Sequence, residues 1–578
     1  LAQDAGGGKW RFHSTDRRMR RHGAVSLIVS CALQKLCNTQ VYALVGSGAM
    51  RKFSGPTGRV PRTALVVSTL AAALLFASPH AHAQAPAAAA PPHQGGTLIY
   101  DNISGPGTLD PYVSGSLVEL EIIHHIYEGL VEMDEHYAWK PMLASKVDVS
   151  PDARVFTFTL RHGVKFSNGK EMTSADVLAS FQRYQRISTN ASILADAAGF
   201  ETPDPYTFVV KLKQPNAVFL DILKSPTYPL DIMPAEEKDK PPREADVIGT
   251  GPYKLGTWER DSHLTIVRND GYVPDDSAAG PDGFAGRKTA YLDQVRYNFV
   301  PEANARIAAL QTGEANVISD VPPDLSKRLA DRKDLSLQKV FPYCQQVFIT
   351  NSQNGPTANP LIRQAIEAAV NVDEIIDATG QIAQKNSSMV YSFSPYYDPA
   401  VSAPYYDEKN PAKAKELLKQ AGYKGEKIVL QTNSNYAYMR DAILVLAEQL
   451  KAAGMNADVQ VVDWTTNASN MQRGTGNWNV STTGFCSQPL LGPQQWRVMV
   501  YTFPQVKGDA VLDAAYKKFL TSPALADRKA AWVDIEKRVL DQAYMIKVAD
   551  LGGLRGYDDK VQGLTPYFFV RYWNVSLK

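Results

Sequence analysis

The chain holds ten histidines, four cysteines and many carboxylates, yet few stand at spacings that do chemistry. His124 and His125 are adjacent, and neighbouring helical residues point about 100° apart. They cannot grip one metal ion as an i, i+4 pair does. The other histidines beyond residue 83 are scattered, at 93, 136, 162 and 263. No GxSxG elbow, HExxH helix or P-loop occurs, and the carboxylates form no recognisable acid/base constellation. Catalysis, a metal and a cofactor are therefore not expected. Recognition is what remains. Tyr391, Phe393, Tyr396, Tyr397, Tyr405 and Tyr406 crowd one Pro-rich stretch, where rings stack on a sugar, flank an elongated ligand or pack a loop. Trp464 and Trp496 stand around a strand end near Cys486.

These side chains need a scaffold, and the pattern alternates strands with helices, the mark of an α/β architecture. A strand starts at Gly96–Tyr100, and Ser116 is placed to cap a helix over Val118–Leu130. In Val155–Arg161, Phe156, Phe158 and Leu160 share one face and Thr157 and Thr159 the other, which predicts a half-buried strand. Thr173 with Asp176 is a capping-box variant opening a helix through Val177, Leu178 and Phe181. Lys427–Asn433, Met439–Ala453 and Ala457–Asp463 read as a βαβ unit, with Gly454 ending its helix. Asn410, Pro411 and Gly422 bracket another helix. Two more fit Asp509–Leu520 and Leu525–Leu540.

Length and charge set the class. At 578 residues the chain exceeds what one hydrophobic core sustains, about 250–300 residues. No run reaches the roughly 18–20 apolar residues of a membrane span. The first 83 residues carry 11 Lys/Arg against 2 Asp/Glu, leaving 50 against 57 in the remainder. A mildly acidic body without a basic stripe speaks against nucleic acid. Met50, Arg51, Lys52, Arg59 and Arg62 read as a signal n-region, and Thr63–Ala77 as its apolar core. Ala81-His82-Ala83 is the site for cleavage before Gln84. Residues 1–49 read as over-called upstream sequence, and 84–93 as an Ala/Pro tether. Beyond the signal, Cys344 and Cys486 can be bridged after export or remain two free thiols.

Seven segments then fall in one order. Leu160–Arg183 (LRHGVKFSNGKEMTSADVLASFQR) resembles the signature of the oligopeptide, dipeptide and nickel class of bacterial extracellular solute-binding proteins, family 5. Its parts are a strand, a Phe-x-Asn-Gly turn and a Thr-x-x-Asp-Val helix ending in Ser-x-x-Arg. Leu109-Asp110-Pro111, Tyr127-Glu128-Gly129-Leu130, Gly249–Tyr253, Arg363-Gln364-Ala365 with Asp373, Ala412–Gly422 and Tyr572-Trp573-Asn574 resemble further family segments. The resemblance spans 96–578 and implies a two-lobed α/β clamshell of the periplasmic-binding-protein kind. Lobe one takes 94–138, 250–342 and 545–578, an inserted subdomain 139–249, and lobe two 343–544. The chain crosses between lobes near Phe341–Phe348 and near Ala543–Val548.

The implied function is the periplasmic substrate-binding component of an ABC importer. It acts as a monomer, captures a small molecule (peptide, opine, oligosaccharide or similar) and delivers it to permease subunits in the inner membrane. A sensory or chaperone-like receptor on the same fold, and a secreted hydrolase, are the alternatives. Leu109, Asp110, Tyr391, Phe393, Tyr396, Trp464, Phe485, Cys486, Ser487, Gln488 and Trp496 are the candidate ligand-binding residues. The chain departs from the family in one telling place. Peptide binders carry Gly-Trp-x-x-Asp-Tyr-x-Asp-Pro, whose first aspartate pairs with the ligand's α-amine; here Gly484-Phe485-Cys486-Ser487-Gln488-Pro489 has Ser487 or Gln488 instead. A buried ammonium without an anion costs several kcal/mol. A free-amine peptide is thus disfavoured unless another carboxylate enters.

Overall fold

The computed structural model describes residues 92–114, 116–486, 492–494, 506 and 508–578. Residues 1–49, the expected signal at 50–83 and most of the tether lie outside that set, as do Ser487, Gln488 and Trp496. Among the described residues no helix is long and apolar enough to cross a membrane.

One eleven-stranded sheet organises the body. Across it stand Asn456–Val462, Lys427–Asn433, Val480–Phe485, Leu335–Thr350, Met545–Asp558, Val317–Ile318, Thr97–Asn102, Gln294–Phe299, His263–Arg268 and Tyr253–Glu259. The short strand Ala383–Gln384 pairs with Met545–Asp558. The two long strands contain the segments expected to cross between lobes. Leu335–Val340 pairs antiparallel with Gly553–Asp558, and Cys344–Ile349 with Met545–Leu551. The register shifts between Val340 and Cys344 and again between Gln346 and Val347.

Burial follows from the period of two. Phe348, Ile546 and Val548 pack with Ile366, Ile443 and Leu446 on one face. Val347, Ile349 and Met545 pack with Phe519, Trp532 and Ile535 on the other. A strand covered on both faces needs a nearly continuous apolar run, which these segments supply. Lys427–Asn433 and Asn456–Val462 are parallel and joined by the helix Ala437–Ala452, the expected βαβ unit.

A separate four-stranded antiparallel sheet stands in the order Ala144–Val149, Val155–Leu160, Thr207–Leu212, Ala197–Asp204. Phe156, Phe158 and Leu160 are buried, as their alternation requires. The helix Ser174–Ile187 opens on a capping box formed by Thr173 and Asp176.

One helix departs from expectation. It runs Leu117–Ile126, stops four residues short of Leu130, and Ser116 makes no side-chain cap. Glu119 instead draws the loop in, accepting from the amides of Gly107 and Thr108 and from the Ser114 hydroxyl. At the other end Gly251 donates its amide to the Ile126 carbonyl at 2.8 Å, satisfying a terminal acceptor that another helical turn would otherwise use. A Cβ at Gly249 would lie 2.0 Å from that carbonyl oxygen, so the close approach requires glycine.

Cys344 lies on Leu335–Thr350 and Cys486 directly follows the neighbouring strand Val480–Phe485; they form a disulfide across 142 residues of sequence. Closing so long a loop restricts the unfolded chain. The double variant Cys344→Ser/Cys486→Ser should lose about 2–4 kcal/mol of unfolding free energy in urea titration. An unchanged midpoint would show that the bridge adds no stability.

Candidate functional site

Three parallel strands of lobe one, Gln294–Phe299, Thr97–Asn102 and Val317–Ile318, end on the same side. In α/β sheets, ligands bind beyond the carboxyl ends of such strands, where loops diverge. A cavity of about 220 Å³ lies there. Its walls include Tyr100 and Asn102 from the first strand, Glu121 from the helix, and Ser319 and Asp320 just past Ile318. Val340, Tyr343 and Gly553–Arg555 of the crossing strands and Phe568 and Phe569 of the C-terminal tail complete it.

The loops are held by a buried cation. Arg306, 2% exposed, donates to the carbonyls of Val300, Pro301, Ser319 and Asp320. That clamp fixes Asp320 at φ +46°, a left-handed conformation that costs energy outside glycine. The Ser319 hydroxyl donates to Asn102 Oδ1 at 3.0 Å, and the Tyr343 hydroxyl approaches Asp320 Oδ1 at 3.4 Å. Arg555 donates through Nη1 to Gln338 Oε1 at 2.7 Å, across the paired crossing strands.

Glu121 is the unusual member. It is 9% exposed, and its Oε1 has no hydrogen-bond partner. Burial pushes its carboxyl up to about 7; Arg555 opposes the rise and Asp320 adds to it. Tyr100, Tyr297 and Tyr572 pack edge-to-face behind it, and burial raises all three phenols.

The residues singled out from sequence are dispersed. Leu109 lies in the lobe-one core. Asp110 pairs with Arg183 Nη2 at 2.5 Å, both side chains 1% exposed, and accepts the Arg243 amide. Losing one partner of such a pair costs about 3–5 kcal/mol, which gives this aspartate a structural task. Tyr391 is buried against the lobe-one core, and Phe393 stacks on Tyr137 with centroids 4.0 Å apart. Tyr396 bonds Arg528 and packs on Phe519. Trp464 meets Tyr436 edge-on at 5.3 Å. Phe485 lies in the lobe-two core, and Cys486 is in the disulfide. Ser487, Gln488 and Trp496 fall outside the described residues.

His124 bonds the Pro226 carbonyl. His125 donates from Nδ1 to the Glu121 carbonyl and accepts the Tyr572 amide at Nε2. Burial lowers their pKa values to about 4 and about 3, so both are neutral struts. Among the described residues no group of three or more His, Cys, Asp or Glu is arranged to hold a metal ion.

Sequence reasoning missed Glu121, Asp320 and Arg555. A signal existed for the first: Glu121 stands three residues after Val118 and directly between Leu120 and Ile122, a charge among apolar helical neighbours.

Comparison with known proteins agrees with the topology. The profile of bacterial extracellular solute-binding proteins, family 5 Middle, matches residues 138–502. The chain is similar to the glutathione-binding protein GsiB of Salmonella paratyphi A, 28% identical over 440 residues, covering 71% of this chain and 81% of GsiB. It is also similar to the probable peptide ABC transporter periplasmic-binding protein y4tO of Sinorhizobium fredii, 27% identical over 507 residues, covering 83% and 92%. The periplasmic binding protein DppA from Helicobacter pylori, solved with the peptide STSA, has a TM-score of 0.66 at 24% identity over 84% of this chain and 98% of its own. That likeness shows a shared two-lobed α/β clamshell.

Glu121 should leave a mark on stability. A carboxyl whose pKa is higher folded than unfolded binds its proton more tightly in the native state. Its stabilisation is full below about 4.5 and fades as pH rises through about 7. Glu121→Gln removes that titration while keeping the neutral shape. Across that window the unfolding free energy of the wild type should fall more than that of the variant, by on the order of 2–3 kcal/mol. Parallel urea titrations check this; equal slopes would show that the carboxyl does not titrate in this range.

Proposed function

Because the chain belongs to the bacterial extracellular solute-binding proteins of family 5, we propose that it captures a small peptide-like or other polar organic solute between its lobes. It works as the substrate-binding component of an ABC importer and delivers the solute to a membrane permease. The observation that carries this is the cavity at the carboxyl ends of the lobe-one strands, lined by crossing-strand residues and by convergent charged and aromatic groups.

At about 220 Å³ the cavity is smaller than the roughly 300–1,000 Å³ of a whole drug-sized pocket. It therefore seats one end of the ligand. The remainder meets lobe two near the end of the strand Val480–Phe485 and near Trp464, which follows the strand Asn456–Val462 of the same sheet. Lobe one is 94–138, 250–342 and 545–578, with 139–249 inserted, and lobe two is 343–544. Closure turns about the crossing strands and is stabilised by contacts made only when both lobes touch the solute. Residues 50–83 direct export, cleavage follows Ala83, and the mature chain acts as a monomer. Binding without turnover fits a family of binding proteins.

Native mass spectrometry of the purified protein should show a co-purifying solute at one per chain. Removing it by partial unfolding and dialysis, then adding it back, should shrink the radius of gyration in small-angle scattering. A ligand that binds without compaction, or one that is chemically converted on incubation, would overturn the proposal.

A further inference from the structure

The lobe-two strand end has no acid to offer. From Gly484 to Gly508 the sequence contains neither Asp nor Glu. The next acid, Asp509, is taken by Arg538, the Tyr544 hydroxyl and the Leu512 amide. Asp550, beside the crossing, accepts from Lys547, Asn386 and Gln345. Glu536 accepts from the Ser388 hydroxyl and the Met389 amide. Among these only Glu536 keeps an unpartnered oxygen, Oε2, and it does not line the cavity described above.

Lobe one differs. Glu121 and Asp320 line one cavity, and Asp320 is exposed. Glu121 keeps an oxygen without a hydrogen-bond partner although it is nine-tenths buried. That is costly unless a donor arrives. Arg555, 6% exposed, lines the same cavity and brings the opposite charge. Two carboxyl groups and one guanidinium around so small a space match a group that carries both signs itself. Tyr100, Tyr343, Phe568 and Phe569 supply apolar walls that strengthen each charged contact by excluding water.

Resting on the receptor function proposed above, we infer that Glu121 and Asp320 supply from lobe one the anion that Gly484–Pro489 lacks. With Arg555 they hold an α-amino-acid head group, a free ammonium and a free carboxylate on one carbon. The ammonium faces Glu121 and Asp320; the carboxylate faces the Arg555 guanidinium. The ligand class is then solutes that keep such a head, such as γ-linked peptides. An α-linked peptide spends that carboxylate in its first peptide bond and leaves Arg555 unmatched.

The test uses the purified chain stripped of ligand, titration calorimetry and small-angle scattering. The probes are S-methylglutathione, which cannot exchange with the Cys344–Cys486 disulfide, its N-acetyl derivative, and the α-linked isomer of the same tripeptide. S-methylglutathione should bind and compact the protein, and the two altered probes should each bind about tenfold or more weakly. Asp320→Asn, at an exposed position that leaves folding intact, and Glu121→Gln should each weaken the parent probe about tenfold. Neither should change what residual affinity the N-acetyl derivative has. Equal binding of parent and altered probes, or unchanged affinity in both variants, overturns the head-group assignment while compaction keeps the receptor function. If no probe with an α-amino-acid head binds, the assignment falls. The receptor function falls with it only if the co-purified solute also fails to compact the chain.

Discussion

Two strands, Leu335–Thr350 and Met545–Asp558, carry a single sheet out of one lobe and into the other, and most other features of the molecule are arranged around them. Their pairing is interrupted between Val340 and Cys344, where residues on one strand lose their partners on the other, and shifts register again between Gln346 and Val347. Such an interruption bends a ladder without cutting it. On its lobe-one side the pair supplies Val340, Tyr343 and Arg555 to the cavity. On its lobe-two side it is buried on both faces and bridged to the next strand through Cys344 and Cys486.

Charge burial is the second organising feature, and several buried charges have a recognisable task. Asp110 with Arg183 ties the loop after the first strand to the helix of the small sheet. Glu128 takes Lys288, the Tyr272 hydroxyl and the Thr250 hydroxyl, joining the end of one helix to the turn that follows the insert. Arg306 has carbonyls alone for partners and so serves as a rivet between two loops. Glu121 keeps one oxygen with nothing to accept, as do Asp231, Glu367 and Glu536. Of these four, Glu121 lines the cavity beside Asp320 and Arg555.

Much of the fold was legible because local rules and tertiary demands agree. Phe156, Phe158 and Leu160 alternate because one face is covered, and Thr173 caps because Asp176 stands three residues on. The βαβ unit at 427–462 reads directly from its period and from Gly454. The helix end at Ile126 was not legible, since the group that ends it is Gly251, 125 residues away. The cavity was hidden for the same reason: Glu121, Asp320 and Arg555 share no sequence spacing and meet only through sheet order. The tyrosine-rich stretch misled in the other direction. Tyr391 and Phe393 look like ligand platforms in sequence, yet they pack against lobe-one aromatics from across the molecule.

The sheet order also governs when the protein can acquire its shape. The first crossing strand must wait for a partner about 200 residues further along, and the first strand of lobe one waits for Gln294–Phe299. Pairings so distant in sequence slow folding, since loop closure precedes any gain from contact. A nascent chain emerging from the ribosome therefore has its central ladder incomplete until Met545–Asp558 is made. For a member of an extracellular family that delay is useful: a polypeptide that cannot close its sheet early stays threadable through a narrow channel, and knits only after the second long strand has arrived.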